Sequence, residues 1–343
     1  MYMALKVNLA FISLFLAVII CGCPAHDQVR SVVIYTSVDQ MYSEPILEAF
    51  ESETGIRVLP VYDVEASKTT GLVNRLIAEK DNPQADVWWS SEFAQTIELK
   101  EREVLASYGS RDADNIPSQY RDPEGFWTGI AGRARLLIIN TDQVEHDDYP
   151  ESILDLLDPP IDAERIGIAW PMFGTTATHA AALYAHLGPT QGRAFFEMLK
   201  MTGIRAVDGN SVVRDMVASG QLAMGFTDTD DACVAIGNGD PVDVVFLDQG
   251  DDQMGTLIIP GTVALILDGP NPDAGKELVD YLVSEKVEAM LVESGWSHVP
   301  FREVDVEPEC YADVQVRGME VNLEHVYEQM ELSQHDLSEI FVR

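Results

Sequence analysis

A strand–loop–helix–strand unit near the start of the chain constrains its fold more than any other feature. The apolar stretch SVVIYT at residues 31–36 has the length of a buried strand and leads into small polar residues. The following stretch PILEAFESET at residues 45–54 predicts an amphipathic helix, Gly55 ends it, and a second strand follows. Two strands joined by a helix are predicted to run parallel. In open α/β sheets, ligands bind where loops leave the carboxyl ends of such strands, so the loop after residue 36 is a candidate ligand contact.

The same alternation of strands and helices continues along the chain and predicts an α/β protein with parallel sheets. With 343 residues, the chain is long enough for two lobes with their own cores. The last forty residues predict helices that pack across the outside. Further strands are predicted at residues 85–89, 135–139, 165–170, 204–207, 222–226, 242–247 and 262–267.

The N-terminus has the pattern of a secretory leader. Lys6 is its one charged residue, and the apolar run at 7–20 is short for a transmembrane helix. The sequence ICGC at residues 20–23 resembles a lipobox, in which the cysteine after a small residue is lipidated. We therefore expect residues 1–22 to be removed as a lipoprotein signal peptide and Cys23 to anchor the protein on the extracytoplasmic side. Cleavage elsewhere, as an ordinary signal peptide, is the alternative.

The charge balance excludes some partners. The chain has 57 acidic and 22 basic residues, a formal net charge of −35, and its acids are spread along the whole length. Such a surface repels nucleic acids and anionic lipids, so we expect no nucleic-acid partner and no membrane contact beyond the lipid anchor. An oxidising compartment would permit Cys233 and Cys310 to pair, but their spacing leaves this question open.

Six short motifs, in order, resemble one known family. They are VIYTS at 33–37, ETGIRV at 53–58, PQADVWWS at 83–90, GRAR at 132–135, GNSVV at 209–213 and DYLVSEKVEAM at 280–290. Together they resemble the ferric-iron-type solute-binding proteins of ABC importers, over about residues 32–300. The resemblance implies the type II periplasmic-binding-protein fold, in which each of two lobes is a mixed or parallel sheet flanked by helices and the lobes close on ligand.

The resemblance also implies an organisation and a set of partners. We expect lobe one to comprise residues 30–132 and 262–305, lobe two residues 133–261, and outer C-terminal helices residues 306–343. The expected partners are an ABC permease with its ATPase and a small solute or metal. The protein is expected to be monomeric, to lack a covalent cofactor and to catalyse no reaction.

The sequence FGTTAT at residues 173–178 lies between a predicted strand and a predicted helix. Free N–H groups at a helix start, together with threonine hydroxyls, suit an anion. The resemblance implies that Gly174, Thr175 and Thr176 hold a synergistic anion beside iron, and that Asn210 contacts the same anion. Plain N-capping by Thr175 or Thr176 is the alternative.

Two arginines and a serine are further candidates on the anion side. Arg133 and Arg135 lie in the matching arginine motif, and a guanidinium can bind a carboxylate or phosphate through two hydrogen bonds. Ser37 follows the first strand and is a candidate hydrogen-bond donor to ligand. An ordinary loop role for Ser37 is equally open.

The metal side departs from the family pattern. The family's iron site uses an adjacent tyrosine pair, in some members with a histidine and a carboxylate. Alignment places Thr229 and Asp230 at the tyrosine pair and Asp39 at the histidine. The carboxylate position falls at Ser91, next to Glu92. The sequence has no adjacent tyrosine pair.

Five carboxylates are the candidate metal ligands in place of the tyrosines. An all-oxygen site suits ferric iron or another hard cation, and also an organic ammonium group. Helix capping is the alternative for residues 227–231. The chain lacks HExxH and GxSxG motifs, which disfavours a secreted metal-dependent hydrolase. The five candidates are Asp39, Glu92, Asp228, Asp230 and Asp231.

The predicted function is therefore that of a lipid-anchored solute-binding protein of an ABC importer. By resemblance, its first candidate ligand is ferric iron with a small synergistic anion. The alternative is a small phosphorylated or zwitterionic organic solute in the same cleft. Its anionic end would lie at Thr175 and Thr176, and its cationic or hydroxylated end would meet the acids.

Overall fold

The computed structural model describes residues 30–63, 71–308, 310–311 and 315–341. Residues 1–22 and Cys23 lie outside these ranges, so the expected leader and lipidation site have no structural counterpart here. The strands are β1 (Ser31–Thr36), β2 (Arg57–Tyr62), β3 (Val87–Ser90), β4 (Leu105–Ala106), β5 (Thr128–Asn140), β6 (Ile166–Ala169), β7 (Arg205–Val207), β8 (Met224–Asp228), β9 (Val242–Val245) and β10 (Ile258–Ile266). The helices are α1 (Gln40–Thr54), α2 (Gly71–Ala78), α3 (Ala94–Glu101), α4 (Gly174–Leu187), α5 (Pro189–Thr202), α6 (Asn210–Ala218), α7 (Thr229–Asn238), α8 (Pro272–Leu282), α9 (Glu285–Glu293) and α10 (Leu323–Ile340).

The first unit forms as its sequence pattern predicts. β1 pairs in parallel with β2 and with β3. Between β1 and β2, α1 buries Ile46, Leu47 and Phe50 and ends at Gly55, which has a φ of 68°. The left-handed backbone at Gly55 is the conformation that glycine adopts at lowest cost, and its N–H donates to the carbonyl of Glu51.

One long strand links two parts of a mixed sheet. The strand order is β2-β1-β3-β10-β5-β8-β6-β7, with β4 on β10 and β9 on β5. The first half of β5 pairs antiparallel with β10, and its second half pairs antiparallel with β8 and β9. Residues on the middle of β5 therefore lie where the two parts of the sheet meet.

The buried side chains form one large cluster and one smaller cluster. The large cluster extends over both parts of the sheet, from Val32 on β1 to Leu183 on α4. The smaller one includes Leu136 and Ile138 of β5 and Val213 of α6. Among the described helices, none combines the length and the apolar character needed to cross a membrane.

The C-terminal segment contains one helix where the sequence predicted several. Within the described residues after 306, only residues 323–340 are helical. This helix, α10, packs against α4 and α5 and also contacts α3. A disulfide joins Cys310 to Cys233 of α7 with their Cα atoms 5.6 Å apart, which answers the question that the sequence left open. The expected division into lobes by residue range stays a prediction.

Candidate functional site

Arg135 and Asp228 form a buried ion pair at the centre of the candidate site. They are register partners on the antiparallel strands β5 and β8. Their side chains are 1% and 4% exposed, and Nη1 of Arg135 donates to Oδ1 of Asp228 over 2.7 Å. Burial acts to raise the pKa of Asp228, but the charges of Arg135 and Arg133 outweigh it and hold that pKa below its ordinary value. Asp228 is therefore ionised at neutral pH.

Three neutral side chains at two helix starts complete this network. Thr175 of α4 donates to Oδ2 of Asp228 over 2.6 Å and accepts from Nη1 of Arg135 over 3.1 Å. Nδ2 of Asn210, the first residue of α6, donates to both Thr175 (2.7 Å) and Asp228 (3.0 Å). Thr176 accepts from Nη2 of Arg135 over 3.3 Å and donates to Oδ1 of Asn210 over 3.2 Å. Each hydroxyl donates its single proton once and accepts with its lone pairs, so the network is internally consistent.

The other two acids at the start of α7 also face arginines. Nη1 of Arg133 donates to Asp230 over 3.2 Å, and Nη1 of Arg214 donates to Asp231 over 3.1 Å. Burial, followed by repulsion from Asp230 and Asp228, raises the pKa of Asp231 to about 6. The three carboxylates offer oxygen atoms within 4.8 Å of one another. Each of the three carboxylates thus faces a guanidinium, although Arg214 also donates to Asp215 over 2.8 Å.

Glu92 connects the two parts of the sheet. It follows β3, is buried, and accepts hydrogen bonds from Gln95 (2.6 Å) and from Thr178 of α4 (3.3 Å). Burial raises the pKa of Glu92, and the negative charge of Asp228 raises it further. Arg133 reaches the same region, where its Nη2 lies 3.5 Å from the carbonyl oxygen of Ser91.

Three sequence candidates lie outside the carboxylate cluster. Asp39 is exposed at the position before α1 and does not belong to the group of three acids, nor does Glu92. Ser37 is buried, and its hydroxyl accepts from the backbone N–H of Ser91 over 3.0 Å. Asp39 and Glu92 as metal ligands, and Ser37 as a ligand contact, stay predictions.

Gly174 is the exposed member of the predicted anion loop. It begins α4 with a φ of 56°, a conformation that favours glycine. Thr175 and Thr176 are buried behind it and are engaged with Arg135 and Asn210 as described above. The structure therefore brings together all the predicted anion-side residues except Arg133, which belongs to the adjacent ion pair, and Ser37.

Sequence reasoning missed Arg214, and it favoured an ordinary structural role for His179 over a ligand role. Arg214 lies four residues after Asn210 on α6, and His179 lies four residues after Thr175 on α4, so each shares a helix face with a predicted residue. His179 is buried, with its ring centroid 5.5 Å from that of Phe226. Burial, assisted by the charge of Arg135, lowers the pKa of His179 to about 3.

Comparison with known proteins decides the family. The family described as "Bacterial extracellular solute-binding protein" matches residues 83–317, which is more than half of the chain. The chain belongs to this family. Its members are solute-binding proteins of ABC transport and not enzymes, which confirms the predicted class and the prediction that the protein catalyses no reaction.

Two relatives carry names that refer to iron. The Fe(3+)-binding periplasmic protein of Serratia marcescens is 25% identical over 204 residues, and the match spans 60% of this chain and 58% of that protein. Iron uptake protein A1 of Synechocystis is 24% identical over 291 residues, with 81% of this chain and 78% of that protein covered. Such relatives support a periplasmic location.

Solved structures share the fold. Apo FutA2 of Synechocystis matches with a TM-score of 0.81 and 19% identity, covering 92% of this chain and 100% of that chain. AfuA of Actinobacillus pleuropneumoniae, solved with fructose-6-phosphate bound, matches with a TM-score of 0.71 and 20% identity, covering 90% and 98%. These matches are two-lobed periplasmic binding proteins, so the predicted two-lobed α/β fold is confirmed.

Proposed function

We propose that this solute-binding protein delivers a small polar organic solute, with an anionic group and a hydroxyl or ammonium group, to an ABC permease and its ATPase. The observation that carries the proposal is that every carboxylate at the start of α7 forms an ion pair with an arginine. We therefore favour the organic solute, which is the alternative that the sequence left open, over ferric iron.

Electrostatics disfavours a trivalent cation in this arrangement. Two unit charges 4 Å apart interact by roughly 4 kcal/mol at the effective dielectric constant of a protein surface. A trivalent ion among Asp228, Asp230 and Asp231 would be attracted by the three carboxylates and repelled by the guanidinium groups that pair with them. The tyrosine phenolates that the resemblance implies for ferric iron are also replaced here, by Thr229 and Asp230. The net gain left for binding such an ion is small.

The pair formed by Arg133 and Asp230 is suited to a solute with two kinds of polar group. Their side chains are 18% and 39% exposed, so solvent reaches both. Within the described part of the chain, Nε of Arg133 and Oδ1 of Asp230 have no hydrogen-bond partner although both atoms are buried. Arg133 would bind a carboxylate, phosphate or phosphonate, and Asp230 would accept from a hydroxyl or ammonium group. A zwitterion or a hydroxylated organic phosphate meets both demands.

Ferric iron, or another hard cation, is the second candidate. The observation that favours it is the set of three carboxylate oxygens within 4.8 Å of one another. Binding would require Arg133 and Arg214 to swing away from their acids, and a small anion would accompany the metal. The names of the relatives from Serratia marcescens and Synechocystis are consistent with this candidate.

Native mass spectrometry combined with metal analysis separates the two candidates. The protein is purified without chelator, and bound mass and metal content are measured on the same sample. We expect an organic mass at one equivalent and no stoichiometric metal. One equivalent of iron would overturn the proposal and establish the second candidate. Asp252→Ala, in an exposed loop, serves as a control that retains the bound species.

The remaining sequence predictions concern the cellular arrangement. We propose that Cys23 carries a lipid anchor, that residues 30–132 with 262–305 and residues 133–261 form the two lobes, and that the protein acts as a monomer. Cys23→Ser should shift the protein from the membrane fraction to the soluble fraction of its host. Retention of this variant in the membrane fraction would contradict the lipid anchor.

A further inference from the structure

We propose that Asp228 is a tethered anion, which fills an oxyanion site built by Arg135, Thr175 and Asn210 and so removes that site from use by the transported solute. The inference does not depend on which solute the protein carries. It concerns a site that the chain has built and occupies with its own side chain.

Three hydrogen-bond donors converge on the carboxylate of Asp228. Arg135 from β5 donates to one oxygen of Asp228, while Thr175 from α4 and Asn210 from α6 donate to the other. The donors come from three separate elements, and the distances of 2.6–3.0 Å are those of full hydrogen bonds. Donors that surround both oxygens of a carboxylate form the same kind of site that binds a free formate, acetate or phosphate ion.

Arg135 is deeply buried. Its guanidinium is 1% exposed, and among the described residues its Nε has no hydrogen-bond partner. A buried guanidinium that lacks a nearby anion is strongly unfavourable, because water cannot reach it to compensate the charge. The start of α4 also favours an anion here, because Phe173 provides no side-chain cap and a helix N-terminus favours negative charge. The network therefore requires an anion, and Asp228 supplies it.

The position of Arg133 shows how the solute is separated from this site. Residues 133 and 135 are two apart on β5, so both side chains leave the same face of the strand. The Arg135 side chain is enclosed with Asp228, whereas Arg133 is partly exposed and pairs with the more exposed Asp230. An anionic group on a solute is thereby directed to Arg133, because the buried hydroxyls of Thr175 and Thr176 are already engaged.

Removal of the Asp228 carboxylate should leave the oxyanion site empty. A free anion should then bind there and restore the lost stability. The variants are Asp228→Ala, which leaves space for an anion, and Asp228→Asn, which keeps the size of the side chain but removes the charge and replaces one acceptor oxygen by an NH2 donor. The matched control is Asp231→Ala, because Asp231 belongs to the same acidic cluster but its pair with Arg214 is 18–19% exposed. Melting temperatures are measured with sodium formate, sodium phosphate and sodium chloride at equal ionic strength.

We expect both Asp228 variants to melt below the wild type in chloride. Formate or phosphate should raise the melting temperature of Asp228→Ala by about 3 °C or more, which is the size expected for a ligand that binds the folded state alone. The wild type and Asp231→Ala should respond to formate and chloride alike. If Asp228→Ala folds only when formate or phosphate is present, this result also supports the inference.

Two results would overturn the inference. One is an equal response of all four proteins to formate and phosphate, which would indicate a general salt effect. The other is failure of both Asp228 variants to fold at any anion concentration, since a free anion would then not replace the carboxylate. Neither result bears on the identity of the transported solute, so the proposed function is tested separately.

Discussion

Thr178 of α4 donates a hydrogen bond to the buried carboxylate of Glu92, which lies 86 residues earlier in the chain at the end of β3. The side chains of both residues are buried, and the contact joins the part of the sheet that contains β1–β3 to the part that contains β6–β8. In the predicted division, Glu92 belongs to lobe one and Thr178 to lobe two, so we expect this contact to stabilise the closed arrangement relative to the open one.

Thr178→Val should shift the protein toward open conformations. Valine keeps the shape of threonine but cannot donate to Glu92, and one lost hydrogen bond of this kind is worth about 1 kcal/mol. Small-angle scattering of the ligand-free protein should give a larger radius of gyration for the variant than for wild type. The control is Thr202→Val, whose hydroxyl donates within α5 and away from the junction. Equal radii for wild type and Thr178→Val would contradict this role.

Glu92→Gln should change how stability depends on pH. Because burial raises the pKa of Glu92, the native state binds a proton more readily than the unfolded state does. Its contribution to stability is therefore present at low pH and is lost as pH rises through the folded-state pKa. Glutamine cannot titrate, so the variant should lack this loss. Denaturant unfolding from pH 4 to pH 8 measures the difference, and identical pH profiles would argue against it.

Arg135→Met should be far more destabilising than Arg214→Met. The first change leaves the buried carboxylate of Asp228 without its cation, and breaking a buried pair in this way typically costs about 3–5 kcal/mol. The second breaks a partly exposed pair with Asp231, for which about 1 kcal/mol or less is typical. Urea unfolding of both variants provides the comparison. Similar losses of unfolding free energy would show that burial does not govern the first pair.

His179 should contribute to acid sensitivity. Burial lowers the pKa of His179 to about 3, and burial likewise lowers the pKa of His298 to about 4. Below pH 6.5 the unfolded state protonates these side chains while the folded state does not, so stability decreases as pH falls from about 6.5 toward 4. His179→Asn should show a shallower decrease in melting temperature over this range. As a control, His335→Asn, which changes an exposed histidine, should show the same decrease in melting temperature as the wild type. A decrease in His179→Asn equal to that of the wild type would contradict the prediction.

Asp230→Ala should weaken binding of the copurified solute at least tenfold, because Asp230 is the acid of the cluster that is most exposed to ligand. Arg133→Met should weaken it as well, through loss of the group proposed to bind the anionic end. Isothermal titration with the solute identified by mass spectrometry measures both effects. Asp252→Ala should bind like the wild type. Unchanged affinity in Asp230→Ala would show that Asp230 does not bind the solute and would leave it with a capping role at the start of α7.

Reduction should destabilise the protein through the bond between Cys233 and Cys310. This disulfide closes a loop with a sequence separation of 77 residues, and native disulfides typically contribute about 2–4 kcal/mol. A reducing agent should therefore lower the melting temperature of wild type. The double variant with serine at both positions should melt at the same temperature as the reduced wild type, and the reductant should not change its melting temperature. A wild type that is insensitive to complete reduction would contradict the prediction.

Much of the fold could be predicted because its signals are local. The apolar run of β1, the helical periodicity of α1 and the glycine at residue 55 each act over a few residues, and the structure contains all three. The positions of Thr175 and Thr176 at a helix start could be predicted for the same reason, whereas Asn210 was indicated only by the family resemblance. The single helix in the C-terminal segment could not, since the packing of α10 on α4 and α5 depends on surfaces far away in sequence.

Local sequence signals identified most strands and helices, and the family resemblance indicated Arg133, Arg135 and Asn210 at the candidate site. Only the tertiary structure decided which of those residues face each other. Arg135 meets Asp228 across 93 residues because β5 and β8 pair in one register, and Arg133 meets Asp230 across 97. Periodicity within an element determines the face on which a side chain lies, but sheet register determines its partner. The acidic run at residues 228–231, whose role as a metal site stays a prediction, therefore meets two arginines that lie 93 and 97 residues away in the sequence.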